Sequence, residues 1–526
     1  MKFMKFIILV SLFSSFSLFG QIPPNILIST LNNPEEVCIA INPKNTNQIV
    51  AGANIDNGYY SSDGGLTWQH QQITCPPYGV WGDPVVFWDT TNMAYFAHLS
   101  NPPPGPGNSA IDRIVVQKST NNGQTWSQNY AFGLNGSKKQ DKPWVCVNKN
   151  DNGIHVCWTQ FDHYGTSNPL DTSLILYSNS MNGGVTWSTP KRISKFGGDC
   201  VDMDNTVEGA VPAIGPNNEI FVSWASAQGL MFQKSLDNGV TWLPQEQFIT
   251  TIPGGWDYMV NGLDRCNGLP FTFCDLSGGP NHGTIYINWT DQRNGINDGD
   301  VWLIKSNDGG NTWSVPIRVN NDVPGKQQFL TNMAIDQTNG NLYCVFYDRR
   351  NFIGNNTDVY IAASNNGGNT FSNFKINQNA FKPNSNYFFG DYIGISAHNN
   401  IVRPIWMQMD TVGHLSVYTA IINGSDLITK TRETNKINLG NLNSFPNPFN
   451  DKTIVEFTPS RDMVLTIDLI DNKGILVNRV SKDILYKSST KASVQISKER
   501  YGLKQGIYYL VFYSGDNSQY IKLIVD

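Results

Sequence analysis

Acidic side chains recur at one kind of place in this sequence, the short polar step before an apolar, strand-like run. Glu35 and Glu36 precede one such run, Asp83 stands in Trp81-Gly82-Asp83-Pro84, and Asp141 and Lys142 open Asp141-Lys142-Pro143-Trp144. Glu208 opens Glu208-Gly209-Ala210, and Asp391 sits in Gly390-Asp391-Tyr392. A second set closes apolar runs: Asp162, His163, Asp291, Arg293, Asp348, Arg349 and Arg350. Converging carboxyl groups exchange protons, Arg pairs with a carboxylate, and aromatic faces stack on rings, so the combination is equipment for carbohydrate chemistry. Asp83, Asp141, Glu208, Asp391 and Tyr392 are therefore candidate catalytic groups, and Trp81, Lys142, Arg293 and Arg350 candidate substrate contacts. A carboxylate at a strand start can instead cap backbone N–H groups or hold a structural Ca²⁺. No other cofactor is implied. Asp291/Arg293 and Asp348/Arg349 recur at equivalent places, which reads as a scaffold ion pair; Arg350 does not recur and is the better ligand candidate. His98 and His163 have no second histidine at metal spacing, which argues against a catalytic zinc site.

What positions these residues is a repeat. The pattern S-x-[DN]-x-G-x-T-[WF] occurs six times, starting at Ser61, Ser119, Ser180, Ser235, Ser306 and Ser364, with terminal aromatics spaced 58, 61, 55, 71 and 58 residues apart. The Asp or Asn caps N–H groups of a tight turn, Gly supplies a positive φ, and the aromatic fills the gap between neighbouring sheets. The same order of apolar segments surrounds each copy. In the third unit, 143–147, 154–158 and 174–178 precede the turn and 186–188 begins a fourth strand. A seventh unit lacks the turn but keeps runs at 393–397, 402–407 and 415–421, and its missing outer strand is expected from 25–30. The expectation is an all-β chain: a seven-bladed β-propeller, with six blades as the alternative, closed without an exposed edge. In that arrangement strand-start and second-strand-end residues share one mouth, and the repeated turns lie on the opposite face.

The repeat resembles the Asp-box, or bacterial neuraminidase repeat, of the sialidase superfamily, over most of residues 25–425. The resemblance implies a secreted or cell-surface carbohydrate-active protein, such as a sialidase-like glycoside hydrolase, with an extracellular glycan or glycoprotein at the mouth. Sialidases use an arginine triad whose first member lies in Arg-Ile-Pro. Here no arginine precedes Arg113 and Arg-Ile-Pro is absent, so none of the family's catalytic residues carries over. Two alternatives stand beside the hydrolase: a non-catalytic propeller binding glycan or protein, and a polysaccharide lyase on the same scaffold.

The chain of 526 residues has 37 basic and 42 acidic side chains, with no basic cluster, which argues against a nucleic-acid partner. Residues 1–20, with Lys2, Lys5, an apolar 7–18 stretch and Gly20, read as a secretory signal peptide, and no later run is long enough for a transmembrane segment. Export makes disulfides admissible. Cys146 and Cys157 flank Asn150-Asp151-Asn152-Gly153 and are the expected pair across a hairpin; Cys266/Cys274 is a second option, and Cys38 and Cys344 read as buried thiols. After the 21–430 propeller and a 431–444 linker the composition shifts: residues 441–526 carry 11 basic and 9 acidic groups (net +2), against 24 and 33 (net −9) for 21–440. Phe445-Pro446-Asn447-Pro448-Phe449-Asn450 and a Lys-bearing terminal strand make 445–526 resemble the type A sorting domain of type IX secretion in Bacteroidota, a small β-sandwich. That resemblance implies the type IX machinery as a partner and release or anchoring at the outer-membrane surface.

Overall fold

A computed structural model describes residues 22–103, 110–429, 439–472, 476–514 and 517–526; the expected signal peptide lies outside them, as does most of the expected linker. The chain divides into two compact units between Ile428 and Thr429. Both are built of β-strands, and the single α-helix among the described residues, Gly424–Thr429, has six residues. No helix is long and apolar enough to cross a membrane among the described residues.

The first unit contains seven sheets whose strands run in consecutive antiparallel order. The first strands are Cys38–Ile41, Gly82–Trp88, Lys139–Val147, Glu208–Ile214, Phe271–Cys274, Gln328–Asp336 and Gly394–His398. Each of these touches the first strand of the next sheet, and the seventh touches the first. All seven line one cavity of about 280 Å³. The seventh sheet takes its outermost strand from the start of the chain: Asn25–Ser29 pairs antiparallel with Leu415–Ala420, with Asn25 opposite Ala420. In the third sheet the strands are Lys139–Val147, Ile154–Phe161, Ser173–Ser180 and Lys191–Arg192, so the fourth begins after the turn's Trp187 rather than at Thr186.

All six repeated turns have one hydrogen-bond plan. The Ser hydroxyl accepts the N–H of the Gly four residues on, at 2.9 Å in five copies and 3.1 Å in the sixth. The Asp or Asn carbonyl-type oxygen accepts the Thr N–H, as in Asp308 to Thr312 at 2.9 Å. The closing Trp reaches the preceding sheet: Trp187 stacks on Phe132 at 4.1 Å, and Trp242 and Trp313 meet Tyr177 and Phe232 edge-on. A cation from the preceding sheet binds a turn carbonyl, Lys234 on Gly309 at 2.8 Å and Lys305 on Gly367 at 2.7 Å. Across the seam Arg403 of the last sheet does the same to Gly64 of the first, at 2.7 Å, and burial brings its guanidinium down to about 10. Gly239 has φ +83, and a Cβ there would lie 2.0 Å from the Tyr177 hydroxyl. Gly239→Ala is therefore expected to lower unfolding stability by about 1–3 kcal/mol, measured by denaturant titration; an unchanged midpoint would mean that this turn does not dock on Tyr177.

The register corrects the expected disulfide. Residues 148–153 form the connection, so Val147 faces Ile154, Cys146 faces His155, and Cys157 faces Trp144. The two-residue turn needed to place Cys146 opposite Cys157 is not formed, and both are free thiols, as are Cys266 and Cys274. Burial pushes the Cys157 thiol well above its usual range, and that of Cys38 to about 12.

In the second unit, Leu439–Phe445, Lys452–Pro459 and Ala492–Ser497 form one sheet; Met463–Asp471, Leu476–Tyr486, Gly506–Ser514 and Asn517–Val525 form another. Alternation sends Val455 and Phe457 from the first, and Leu465, Ile467, Leu510 and Phe512 from the second, into a common core.

Candidate functional site

The strand-start residues converge because the chain bulges there. Register shifts fall at Gly82/Val85, Asp141/Trp144, Glu208/Val211 and Phe329/Asn332. The residue in each bulge is left-handed: Asp83 (φ 51), Lys142 (φ 45), Gly209 (φ 72) and Leu330 (φ 48), with Glu36 (φ 54) at the matching place in the first sheet. Bulges re-aim side chains, and a charged residue held at positive φ costs about 1–3 kcal/mol. The fourth sheet avoids that strain with glycine. The first three accept it, and all three present an ionisable group to the mouth.

A pocket of about 180 Å³ opens among these groups, walled by Glu36, Asp83, Asp141 and Lys142 together with Trp81, Tyr164, Arg265 and Phe388. Lys142 donates from Nζ to Asp391 Oδ2 at 3.0 Å and lies 3.9 Å from Glu208 Oε1; its backbone N–H faces Asp141 Oδ1 and Asp83 Oδ2 at 3.0 and 3.2 Å. Arg265 forks onto both oxygens of Asp391, its Nε at 2.8 Å from Oδ1, and its Nη1 lies 3.3 Å from Asp202. Tyr164 donates to Asp202 at 2.7 Å. Asn54 donates to Glu36 and accepts the Asp83 N–H at 2.8 Å. Asn267 donates to the Asp391 carbonyl at 3.0 Å.

Six carboxyl groups and two cations cannot all be charged in so buried a place. Burial first, then the neighbouring Glu36, raises Asp83 to about 8; burial and Asp391 bring Glu36 to about 7. Burial likewise lifts Asp141 and Glu208 well above the carboxylate range. Asp83 shares hydrogen bonds with both Glu36 and Asp141. Counted as carboxylates, both Glu208 oxygens lack a donor, whereas a protonated Glu208 donates to Asp202. Asp391 and Asp202 go the other way: against burial, Lys142 and Arg265 hold both below the usual range. Among the described residues no three His, Cys, Asp or Glu side chains are arranged to hold a metal ion.

The pH dependence has a definite sign. Folded Asp83, Glu36 and Glu35, the last raised to about 8 by burial and Asp264, keep protons that the unfolded chain releases near about pH 4. The folded state binds more protons across that interval, so stability falls as pH rises through it; the depressed Asp391 and Asp202 contribute stability that is lost only at lower pH. The melting temperature is expected to drop by several degrees between about pH 5.5 and 8.5, and Asp83→Asn to flatten the drop. A flat profile in the unsubstituted protein would contradict the shared-proton arrangement.

The sequence-predicted residues separate into groups. Asp83, Asp141, Lys142 and Trp81 wall the pocket, and Glu208 and Asp391 lie behind it, fully committed to the cations and to Asp202. Tyr392 is placed elsewhere: its ring packs with Val211 and Phe271, edge-on to Trp144, and its hydroxyl reaches only the Pro84 carbonyl at 3.5 Å. Arg293 and Arg350 also stay outside the pocket. Arg293 pairs with Asp291 over the Trp302 ring, and Arg350 with Asp348 over Tyr360. Each Asp ends its strand and accepts the N–H of the Arg two residues on, Arg293 at 3.1 Å and Arg350 at 2.7 Å, so the recurring scaffold pair is Asp348/Arg350, not Asp348/Arg349; Arg349 instead donates to the Asn261 carbonyl. Arg265, Asp202, Tyr164 and Phe388 lie outside the strand-start and strand-end patterns that mark the other site residues. Arg265 lies in the long connection between Gln247–Thr250 and Phe271–Cys274, and the signal for it was the 71-residue spacing, the largest between repeats.

No curated protein matches the chain. Among solved structures, an ulvan lyase of a polysaccharide lyase family is 12% identical, covering 78% of this chain and 97% of its own, with TM-score 0.45. An α-L-arabinofuranosidase from Fusarium graminearum is 11% identical, with 78% and 100% covered and TM-score 0.44. A Hadza microbial sialidase is 14% identical, with 71% and 73% covered and TM-score 0.41. The family model described as secretion system C-terminal sorting domain matches residues 443–526, and this identifies the tail of the chain as such a sorting domain.

Proposed function

We propose that residues 25–428 form a seven-bladed Asp-box β-propeller, exported through type IX secretion to the cell surface or beyond it, whose mouth cleaves an uncharged glycan. Seven sheets in cyclic contact around one cavity, closed by Asn25–Ser29, support the blade count. The observation that carries the chemistry is Asp83, a carboxyl that keeps its proton to about pH 8 while walling a pocket flanked by Trp81 and Phe388. Such a group suits protonation of a glycosidic leaving oxygen. Tyr164 in the same wall can attack the anomeric carbon as its phenol proton passes to Asp202, 2.7 Å away; water then cleaves the glycosyl–tyrosine bond, giving its proton to the Asp83 that protonated the leaving oxygen, while Asp202 returns its own to the tyrosine oxygen. The sugar is positively charged in the transition state, and Asp202, held ionised beside the Tyr164 of the pocket wall, is the carboxylate that can stabilise that charge. The same electrostatics disfavours sialic acid and uronic acids, because Lys142 and Arg265 are both engaged by Asp391. That commitment also argues against the lyase alternative, which needs a cation free to neutralise a uronate.

The test is incubation of the purified full-length protein with neutral and anionic polysaccharides, reading new reducing ends, free sialic acid and absorbance from new double bonds. Reducing ends from a neutral polymer, lost in Tyr164→Phe, are the expected outcome. Retention of a glycan without any product would leave a binding protein, and double-bond absorbance would replace the hydrolase by a lyase.

A further inference from the structure

A second and larger cavity, about 890 Å³, lies apart from the carboxylate pocket, between the loops of the sixth and seventh sheets. Its walls are Asn355 and Asn356 beyond the strand Asn341–Asp348, the segment Phe381–Ser385, and the hairpin joining Ile401–Met409 to Leu415–Ala420. On that hairpin Gln408 faces Ser416 directly, and Tyr418 follows two residues later on the same side. All three are half-buried, line the cavity, and make no side-chain hydrogen bond among the described residues. Half-buried amides and hydroxyls without a protein partner are left to water, which the hydroxyls of a ligand can replace. A stripe of such groups beside the Tyr418 ring is what a sugar requires, donors and acceptors for hydroxyls and a flat face for ring C–H groups. The charges in the wall are one Lys382 and one Asp410, and Asp410 is occupied by the N–H groups of Val412 and His414, each at 2.9 Å.

We infer that this cavity is a binding site for an uncharged sugar unit, holding the same polymer that enters the carboxylate pocket. One segment connects the two places: Asn384 and Ser385 wall the cavity, Phe388 walls the pocket, and Asp391 clamps Lys142 and Arg265. The inference rests on the preceding reading only in taking the polymer to be shared and uncharged; binding at the cavity requires no cleavage at the mouth.

The experiment is native electrophoresis of the full-length protein through gels containing galactomannan, xylan, arabinan or mixed-linkage glucan, with polygalacturonate as the anionic control. Retardation by at least one neutral polymer is expected, and it persists in Tyr164→Phe. Gln408→Ala weakens it about five- to tenfold, the scale of one lost hydrogen-bonding group. Tyr418→Ala weakens it further, and because that ring is partly packed, Ser385→Trp, at an exposed position, serves as the variant that fills the cavity without touching the sheet. Retardation unchanged in Gln408→Ala and Ser385→Trp, stronger retardation by polygalacturonate, or none by any neutral polymer each overturns the inference. Retardation that depends on Gln408 without any cleavage would remove the catalytic reading and leave this one standing.

Discussion

Asp391→Ala is expected to cost about 3–5 kcal/mol of unfolding stability, among the largest effects of any single substitution in the first unit. Asp391 is the anion shared by Lys142, from the strand Lys139–Val147, and Arg265, from the long connection before Phe271–Cys274, and its backbone also accepts from Asn267 and donates to Glu36 at 3.3 Å. Removing it leaves a buried ammonium whose remaining ion-pair contact is Glu208 at 3.9 Å and a half-buried guanidinium left with Asp202 at 3.3 Å. Asp391→Asn keeps the shape and should cost less. The double variant Asp391→Ala/Lys142→Met should recover part of the loss, because it removes the ammonium that the single variant strands. Urea titration monitored by tryptophan fluorescence measures all three. A single-variant loss below about 1 kcal/mol would show that water already screens these charges.

Asp83→Asn is expected to reduce glycan cleavage by about 10²–10⁴-fold, the usual contribution of a general acid. The substitution is also informative about folding. Asn keeps a hydrogen-bonding side chain beside Glu36 and Asp141 while removing a titrating group, so stability at pH 8 should be unchanged or higher, against the direction of activity. In the unsubstituted protein the rate should fall on the alkaline side as Asp83 loses its proton near pH 8. Loss of activity together with loss of stability would mark Asp83 as a structural member of the cluster and return the search for the acid to Asp141.

Much of the architecture was legible because one device is repeated. Ser, Asp or Asn, Gly, Thr and Trp at fixed offsets are all needed to make the turn, and each copy made the same bonds. The pairing of 25–30 with the last unit followed from counting strands. The strand-start carboxylates were legible for the same reason, since their position in the unit decides where they point. Residues outside the repeat were not. Arg265 and Phe388 come from long connections with no counterpart in other units, and periodicity says nothing about where such segments return. Tyr392 was misplaced by one residue's worth of geometry: Asp391 beside it turns to the cations while its own ring turns to Trp144. The Cys146/Cys157 pairing failed because a tight turn was assumed where six residues intervene.

The pairing of Asn25–Ser29 with Leu415–Ala420 has a kinetic consequence. Every other sheet of the first unit is made from neighbouring chain, each strand following its partner after a short connection. The last one joins segments some 390 positions apart, as in Asn25 opposite Ala420. Such a contact bears the greatest loop-closure entropy in the molecule, so it forms late. During synthesis the first unit therefore passes through a state in which six sheets are complete and the seventh has a bare edge, open to any extended strand that arrives first.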